Sequence, residues 1–324
     1  MNRSLRCALV AGASLMLPAA RPAIVFQFDY SYDNNNFFDT QAKRDVLVAA
    51  GQAISSRLGD TLDAITPGGG NTWSAAFFRP DTGATESIAD LAVSANTLLI
   101  YAGGRSLTAN VLGLGGAGGF TSAGGTASWF DTIQFRGEQA NGATANPATS
   151  MDYGPWGGSI TFSQAGSVDW NYTLAAPTMG QSDFYSVALH ELSHLIGFTD
   201  TTESYARLVN TSLNTFTGSV TMGQNGGSAA PLNGQISVGD NSHFRPGLGS
   251  TLPFSTTSQE TLMAPSLTTG SRREMTKLDF AVLDDIGWEV DGAVYQAAVP
   301  EPSEYLSVAG IGLLALAAWR RRNS

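Results

Sequence analysis

The stretch Phe184–Asp200, FYSVALHELSHLIGFTD, constrains this chain more than any other. Phe184, Val187, Ala188, Leu195 and Ile196 give it an apolar helical face, and Ser182 or Asp183 stands where a helix N-cap is needed. Residues four apart on a helix are neighbours, so His190 and His194 can present two imidazoles to one metal ion. Glu191 is turned about 100° from His190. It therefore flanks such an ion instead of ligating it, and can take a proton from water there. The plain alternative is an amphipathic helix with incidental histidines. That reading is the weaker one, because H-E-x-x-H specifies three residues and the chain holds only three histidines. A catalytic zinc usually has three protein ligands. Asp200, at the end of the stretch, and His243, far beyond it, are the candidates for the third.

The chain's 324 residues can bury one large domain. Charged residues make up only 14%, against 37 glycines, a balance that suits an exported protein rich in turns and short strands. The net charge is −10; setting aside three arginines in 1–23 and a net single positive charge in 299–324 leaves −14 on the body. An acidic surface of this kind repels nucleic acid and anionic lipid, so no nucleic-acid partner is expected. Cys7 is the only cysteine. It falls in the leader described next, which removes disulfides, cysteine-ligated metals and cysteine nucleophiles from the mature body.

Both ends read as addresses. Residues 1–23 have a basic start, an apolar run and small residues after it, the layout of a secretory signal peptide. At the other end, 299–324 carries Pro300-Glu301-Pro302, an apolar run from Tyr305 to Trp319, then Arg320, Arg321 and Arg322. A helix of that length rises about 22 Å, short for a bilayer core of about 30 Å. The arginines would remain on the cytoplasmic side. Export to the cell surface follows, with at least transient anchoring in the inner membrane.

Between these ends, 24–298 reads as one catalytic domain. AIVFQFDYSYD alternates like a strand, and 39–60 has helical spacing at Val46, Leu47, Ala50, Ile54 and Leu58, with Gly59 as a stop. NTWSAAFF and NTLLIYAGGR read as strands, and the glycine-rich 103–126 as a long surface loop. GGSITFS, 157–163, is a further short strand. MTKLDFAVLDDIGW is a last helix opened by Thr276 and Asp279 and stopped by Gly287. This order predicts an α/β (α+β) body with a looser C-terminal half.

Gly197 follows His194 by three residues and can leave the helix in a left-handed conformation, turning the chain back towards a metal. At this point the sequence resembles the metzincin metalloproteases, whose motif is H-E-x-x-H-x-x-G-x-x-H or -D, with Asp200 on its last position. HELSHLIGF, a long insertion, NSHF and ETLMAPSL also resemble the leishmanolysin-type proteases. In those the third histidine follows an insertion and shortly precedes the Met-turn. His243 matches that histidine and Met263 the Met-turn methionine. LMAP resembles the matrixin Met-turn, and the closing residues resemble the PEP-CTERM sorting signal. The resemblance implies a zincin fold: a mixed twisted sheet, a backing helix, an active-site helix, and an irregular C-terminal part with the Met-turn and final helix.

It further implies a secreted zinc endopeptidase acting on protein or peptide substrates as a monomer, with its tail processed by a membrane sorting enzyme. Glu191 would be its general base, His190, His194 and His243 its Zn2+ ligands, and Met263 the floor beneath the metal. His243 is preferred to Asp200 because imidazole is the commoner zinc ligand. Asp200 stays open as the alternative, or as a hydrogen-bonding partner of a ligand. Pro265 stands where some relatives place a transition-state tyrosine, so that role has no holder. A cysteine switch is excluded with Cys7 in the leader. A different class of function, a non-catalytic surface or matrix protein on the same fold, would have no need of Glu191. A metal-dependent hydrolase of another bond is the third reading.

Three weaker signals remain. Gly113, Gly115 and Gly118 fit a dinucleotide fingerprint on paper, but no helical pattern follows. Asp29, Asp33, Asn35 and Asp39 suggest structural Ca2+. They lack the glycine and closing glutamate of an EF-hand loop, so a solvated strand end is preferred. GGSITF is a candidate for the cleft's edge strand, along which a peptide would pair by backbone hydrogen bonds.

Overall fold

The computed structural model describes residues 24–108, 110–137 and 153–296. The leader at 1–23 and the Pro-Glu-Pro tail at 299–324 lie outside the described residues. Among those described, no helix is long and apolar enough to cross a membrane.

The architecture is mixed α+β. The main sheet holds β1 (Val25–Asp29), β4 (Thr97–Arg105), β7 (Gly157–Ser163) and β5 (Gly113–Ala117), in the order β1-β4-β7-β5. The first three are parallel to their neighbours, and β5 runs antiparallel to β7 at the edge. A second sheet, β3-β2-β6, comprises β2 (Thr72–Phe78), β3 (Thr85–Ala89) and β6 (Gly119–Gly124).

β4 shows why the layers stack as they do. Alternate side chains of a strand face opposite ways. Leu98, Ile100 and Ala102 enter a core shared with helix α1 (Gln41–Ser55) and helix α3 (Phe184–Leu195), while Leu99 and Tyr101 enter a core shared with β2. Phe77 of β2 stacks on Tyr101 with ring centroids 4.3 Å apart. A strand covered on both faces reads as a continuous apolar run, as LLIYA does.

Helix α2 (Ala127–Phe135) closes the second core through Trp129 and Ile133. After α3 come the short helices α4 (Glu203–Ala206) and α5 (Ser219–Gln224), two-residue strands, and helix α6 (Lys277–Asp285). Thr276 and Asp279 cap α6 reciprocally, the expected capping box.

Two expectations need correcting. The glycine-rich 103–126 is no loop: its residues form the end of β4, then β5 and β6. The dinucleotide-like glycines fall on and just after β5. The segment at 157–163 is also not the edge strand. β7 is buried along its whole length between β4 and β5, and β5 is the edge. Glycine carries no side chain to show a period of two, which is why the strand was hidden.

In the acidic turn before α1, Asn35 and Asp39 are exposed, as a solvated strand end requires, and Asp29 and Asp33 are half-buried. Asp33 accepts from the backbone N–H of Phe37, Phe38 and Gly104 at 3.1, 2.7 and 3.2 Å, so it pins the turn to β4.

Candidate metal centre

Asp183 caps α3: its Oδ2 accepts from the Ser186 N–H and hydroxyl at 3.2 and 2.6 Å. Arg272 holds the same carboxylate at 2.7 Å. Of the twelve residues in α3, only His190 and His194 are not buried. The helix is locked into the core everywhere except on the strip that carries its two imidazoles.

His243 arrives from the loop before Met263 and completes a triangle. Its Nε2 is 3.2 Å from that of His190 and 3.2 Å from that of His194, and the first two are 3.1 Å apart. Each Nδ1 has a partner that can only accept. These are the Leu262 carbonyl at 3.1 Å for His190, the Phe198 carbonyl at 2.7 Å for His194, and Asp240 Oδ1 at 2.7 Å for His243. A neutral imidazole has one N–H. With that hydrogen on Nδ1, all three Nε2 atoms turn bare lone pairs towards one point.

Three converging lone pairs repel unless a cation sits among them. A tetrahedral ion about 2.0–2.1 Å from each nitrogen separates its ligands by roughly 3.3–3.4 Å, close to the edges seen. The donor set therefore fits a metal ion. Among the described residues these histidines form the one group of three or more His, Cys, Asp or Glu side chains close enough to hold one. Burial, then the neighbouring imidazoles, draws the pKa of His190 well below its ordinary value. Burial and His243 draw that of His194 down to about 4. Both shifts favour the unprotonated, ligating form.

The partners of the imidazoles come from distinct local devices. Gly197 has φ +107°, and a Cβ there would lie 2.7 Å from Tyr153. This left-handed exit from α3 is the expected glycine turn, and it swings the Phe198 carbonyl back onto His194. Met263 is fully buried; its N–H donates to Asp279 Oδ1 at 3.1 Å, and its carbonyl accepts from Phe244 N–H at 2.8 Å. Asp279 also takes the Leu262 N–H at 3.0 Å. The 262–263 backbone thus links the residue after His243 to the acceptor for His190, with the last helix as its anchor.

Asp200 is not among the converging atoms. Its Oδ1 accepts from the Ser242 hydroxyl at 2.8 Å, and the Asp200 N–H donates to that hydroxyl's Oγ at 3.0 Å. It clamps the residue before His243 and touches no imidazole. The side chain that does is Asp240, which the sequence reading missed; the D-x-x-H spacing was its only trace.

Glu191 is buried beside this centre, under β5. Burial pushes its carboxyl up to about 8, against a hydrogen bond from the Gly115 backbone N–H. A cation nearby would draw the value down again. Strand and helix approach so closely that a Cβ on Gly113 would lie 2.6 Å from Glu191 Oε1. One on Gly115 would lie 2.1 Å from the Glu191 carbonyl oxygen. Only glycine fits at 115, where the clash is with helix backbone, and a side chain at 113 would have to push the Glu191 carboxyl aside.

The three histidines and Glu191 open into a cleft of about 750 Å³, lined also by Gly113, Leu114 and Gly115 of β5 and by residues including Val168, Pro265 and Leu267. Comparisons with protein-family models and with curated proteins find no match.

Proposed function

We propose that the chain is a secreted zinc-dependent endopeptidase of metzincin type. One observation carries the reading: three Nε2 lone pairs converge, each fixed by an acceptor on its Nδ1, beside a buried carboxyl beneath an open strand edge. His190, His194 and His243 would hold the zinc. All-imidazole donors suit this ion, although they suit copper, iron and nickel too.

Bound zinc supplies a Lewis acid that makes water nucleophilic near neutral pH and polarises a carbonyl. Glu191 takes the proton from the attacking water and returns it to the departing amine. The edge of β5 offers backbone N–H and C=O groups to an extended peptide, in the role first given to 157–163. Met263 closes the floor under the histidines. The leader and the Pro-Glu-Pro tail support export and surface attachment, with a membrane sorting enzyme as the processing partner.

The test is hydrolysis of casein by wild type and Glu191→Ala, each with and without chelator. Activity only in the untreated wild type is expected. Equal background in all four samples removes the endopeptidase reading and leaves a binding protein on this fold.

A further inference from the structure

A second pocket, about 630 Å³, adjoins the histidine cleft across β5, and Leu114 and Gly115 line both. Gly113 and Gly115 face α3, so Leu114 and Gly116 face the other way. Leu114 pairs with Thr161 and Gly116 with Ser159, which puts the hydroxyl-bearing face of β7 at the pocket's floor. Phe78 and Arg105 stand on its walls, and exposed Glu203 at the opposite rim.

Arg105 is the unusual member. All three of its hydrogen bonds leave Nη1, to the carbonyls of Arg79 and Pro80 at 3.2 and 3.1 Å and to Thr161 Oγ1 at 3.2 Å. Burial lowers its pKa, with Asp81 working the other way. Yet Asp81 is already held by Arg79 at 3.0 and 2.8 Å and by Asn34 at 2.5 Å. Among the described residues, Arg105 has no carboxylate in salt-bridge range.

A partly buried guanidinium with no carboxylate in direct contact favours an anion. Thr161, having accepted from Arg105, still has its own proton to donate, and Ser159 lies two residues along the same face. Phe78 and Leu114 supply apolar surface for a short methylene stem. Together these groups suit a side-chain carboxylate.

We propose that this pocket is a substrate subsite for an acidic side chain N-terminal to the scissile bond, with Arg105 as its specificity-determining residue. The proposal rests on the endopeptidase reading. A substrate strand antiparallel to β5 runs from Ala117 towards Gly113, so its N-terminal part passes the Gly116 end, where the pocket opens.

Binding and cleavage test it separately. Fluorescent peptides carry Glu, Gln or Lys at each position N-terminal to the cleaved bond. Their binding to Glu191→Ala protein and their cleavage by zinc-loaded wild type are measured. Glu is expected to be favoured over Gln about tenfold at one position in both assays. Arg105→Gln should erase that difference, Arg105→Lys keep part of it, and Arg105→Glu move the preference to Lys, with melting curves checking each fold. Equal handling of Glu and Gln by wild type overturns the subsite, as does a preference that survives Arg105→Gln or a failure to bind any acidic peptide. Acid-selective binding that depends on Arg105, without cleavage of any peptide, keeps the pocket and removes the endopeptidase reading.

Discussion

Asp240 Oδ1 lies 2.7 Å from Nδ1 of His243, while its other oxygen accepts from the Asn233 side chain at 2.7 Å. The carboxylate is therefore oriented before it orients the imidazole, the arrangement that fixes a ligating tautomer.

Asp240→Ala should weaken zinc affinity by about 10- to 100-fold while leaving the metal-free fold intact. Competition with a chromophoric chelator reads the affinity, and unaltered binding would show that the Asp240 contact is idle.

His243→Ala should yield protein that purifies without stoichiometric zinc, whereas Asp200→Ala should retain the metal. Losing its bond to Ser242 should cost Asp200→Ala about 0.5–1.5 kcal/mol of stability. Elemental analysis of both variants decides between the two residues; zinc lost from Asp200→Ala alone would reverse the assignment.

Asp279→Ala would strand the buried N–H groups of Leu262 and Met263, at about 1–3 kcal/mol each. Melting temperature should fall, and metal affinity with it, because the Leu262 carbonyl that positions His190 loses its anchor. A variant that melts lower but binds zinc as wild type does would confine Asp279 to helix capping.

Asp81 has its pKa held below the usual carboxylate range, chiefly by its hydrogen bond to Arg79, against the opposing effect of burial. A group with a lowered folded pKa stabilises the fold above its unfolded value, about 3.9, and loses that contribution as pH falls through the folded value. Wild type should therefore melt above Asp81→Asn near neutral pH, and the gap should close in strong acid. A gap of constant size down to the acid limit would mean that the charge of Asp81 contributes nothing.

The parts of this molecule that repeat with a period were legible from its residues. α1, α3 and α6 follow from apolar spacing and caps, and β2 and β4 from runs of β-branched and aromatic side chains. β5 was not legible, because Gly113, Gly115 and Gly116 have no side chains to alternate, and its strand form comes from the neighbours it pairs with. At the site, the three histidines were visible as residue types. Their acceptors were not, since the Leu262 and Phe198 carbonyls are backbone atoms that no residue letter encodes. Asp279 could be read as half of a capping box, yet its grip on Leu262 and Met263 depends on how α6 packs beneath them. Asp200, the alternative to His243, occupies a motif position while its carboxylate accepts from a neighbouring serine.

The glycines of β5 also bear on how such a cleft can diversify. With no room for a side chain at 113 or 115, the inner face of the strand cannot be altered without displacing Glu191. It acts as a fixed datum against which the Glu191 carboxyl is set. Changes of preference are thereby steered outward, to Leu114 on the strand's other face and to loops such as those bearing Val168 and Leu267. The part of the cleft that touches the helix is held fixed, and variation falls to the residues beyond it.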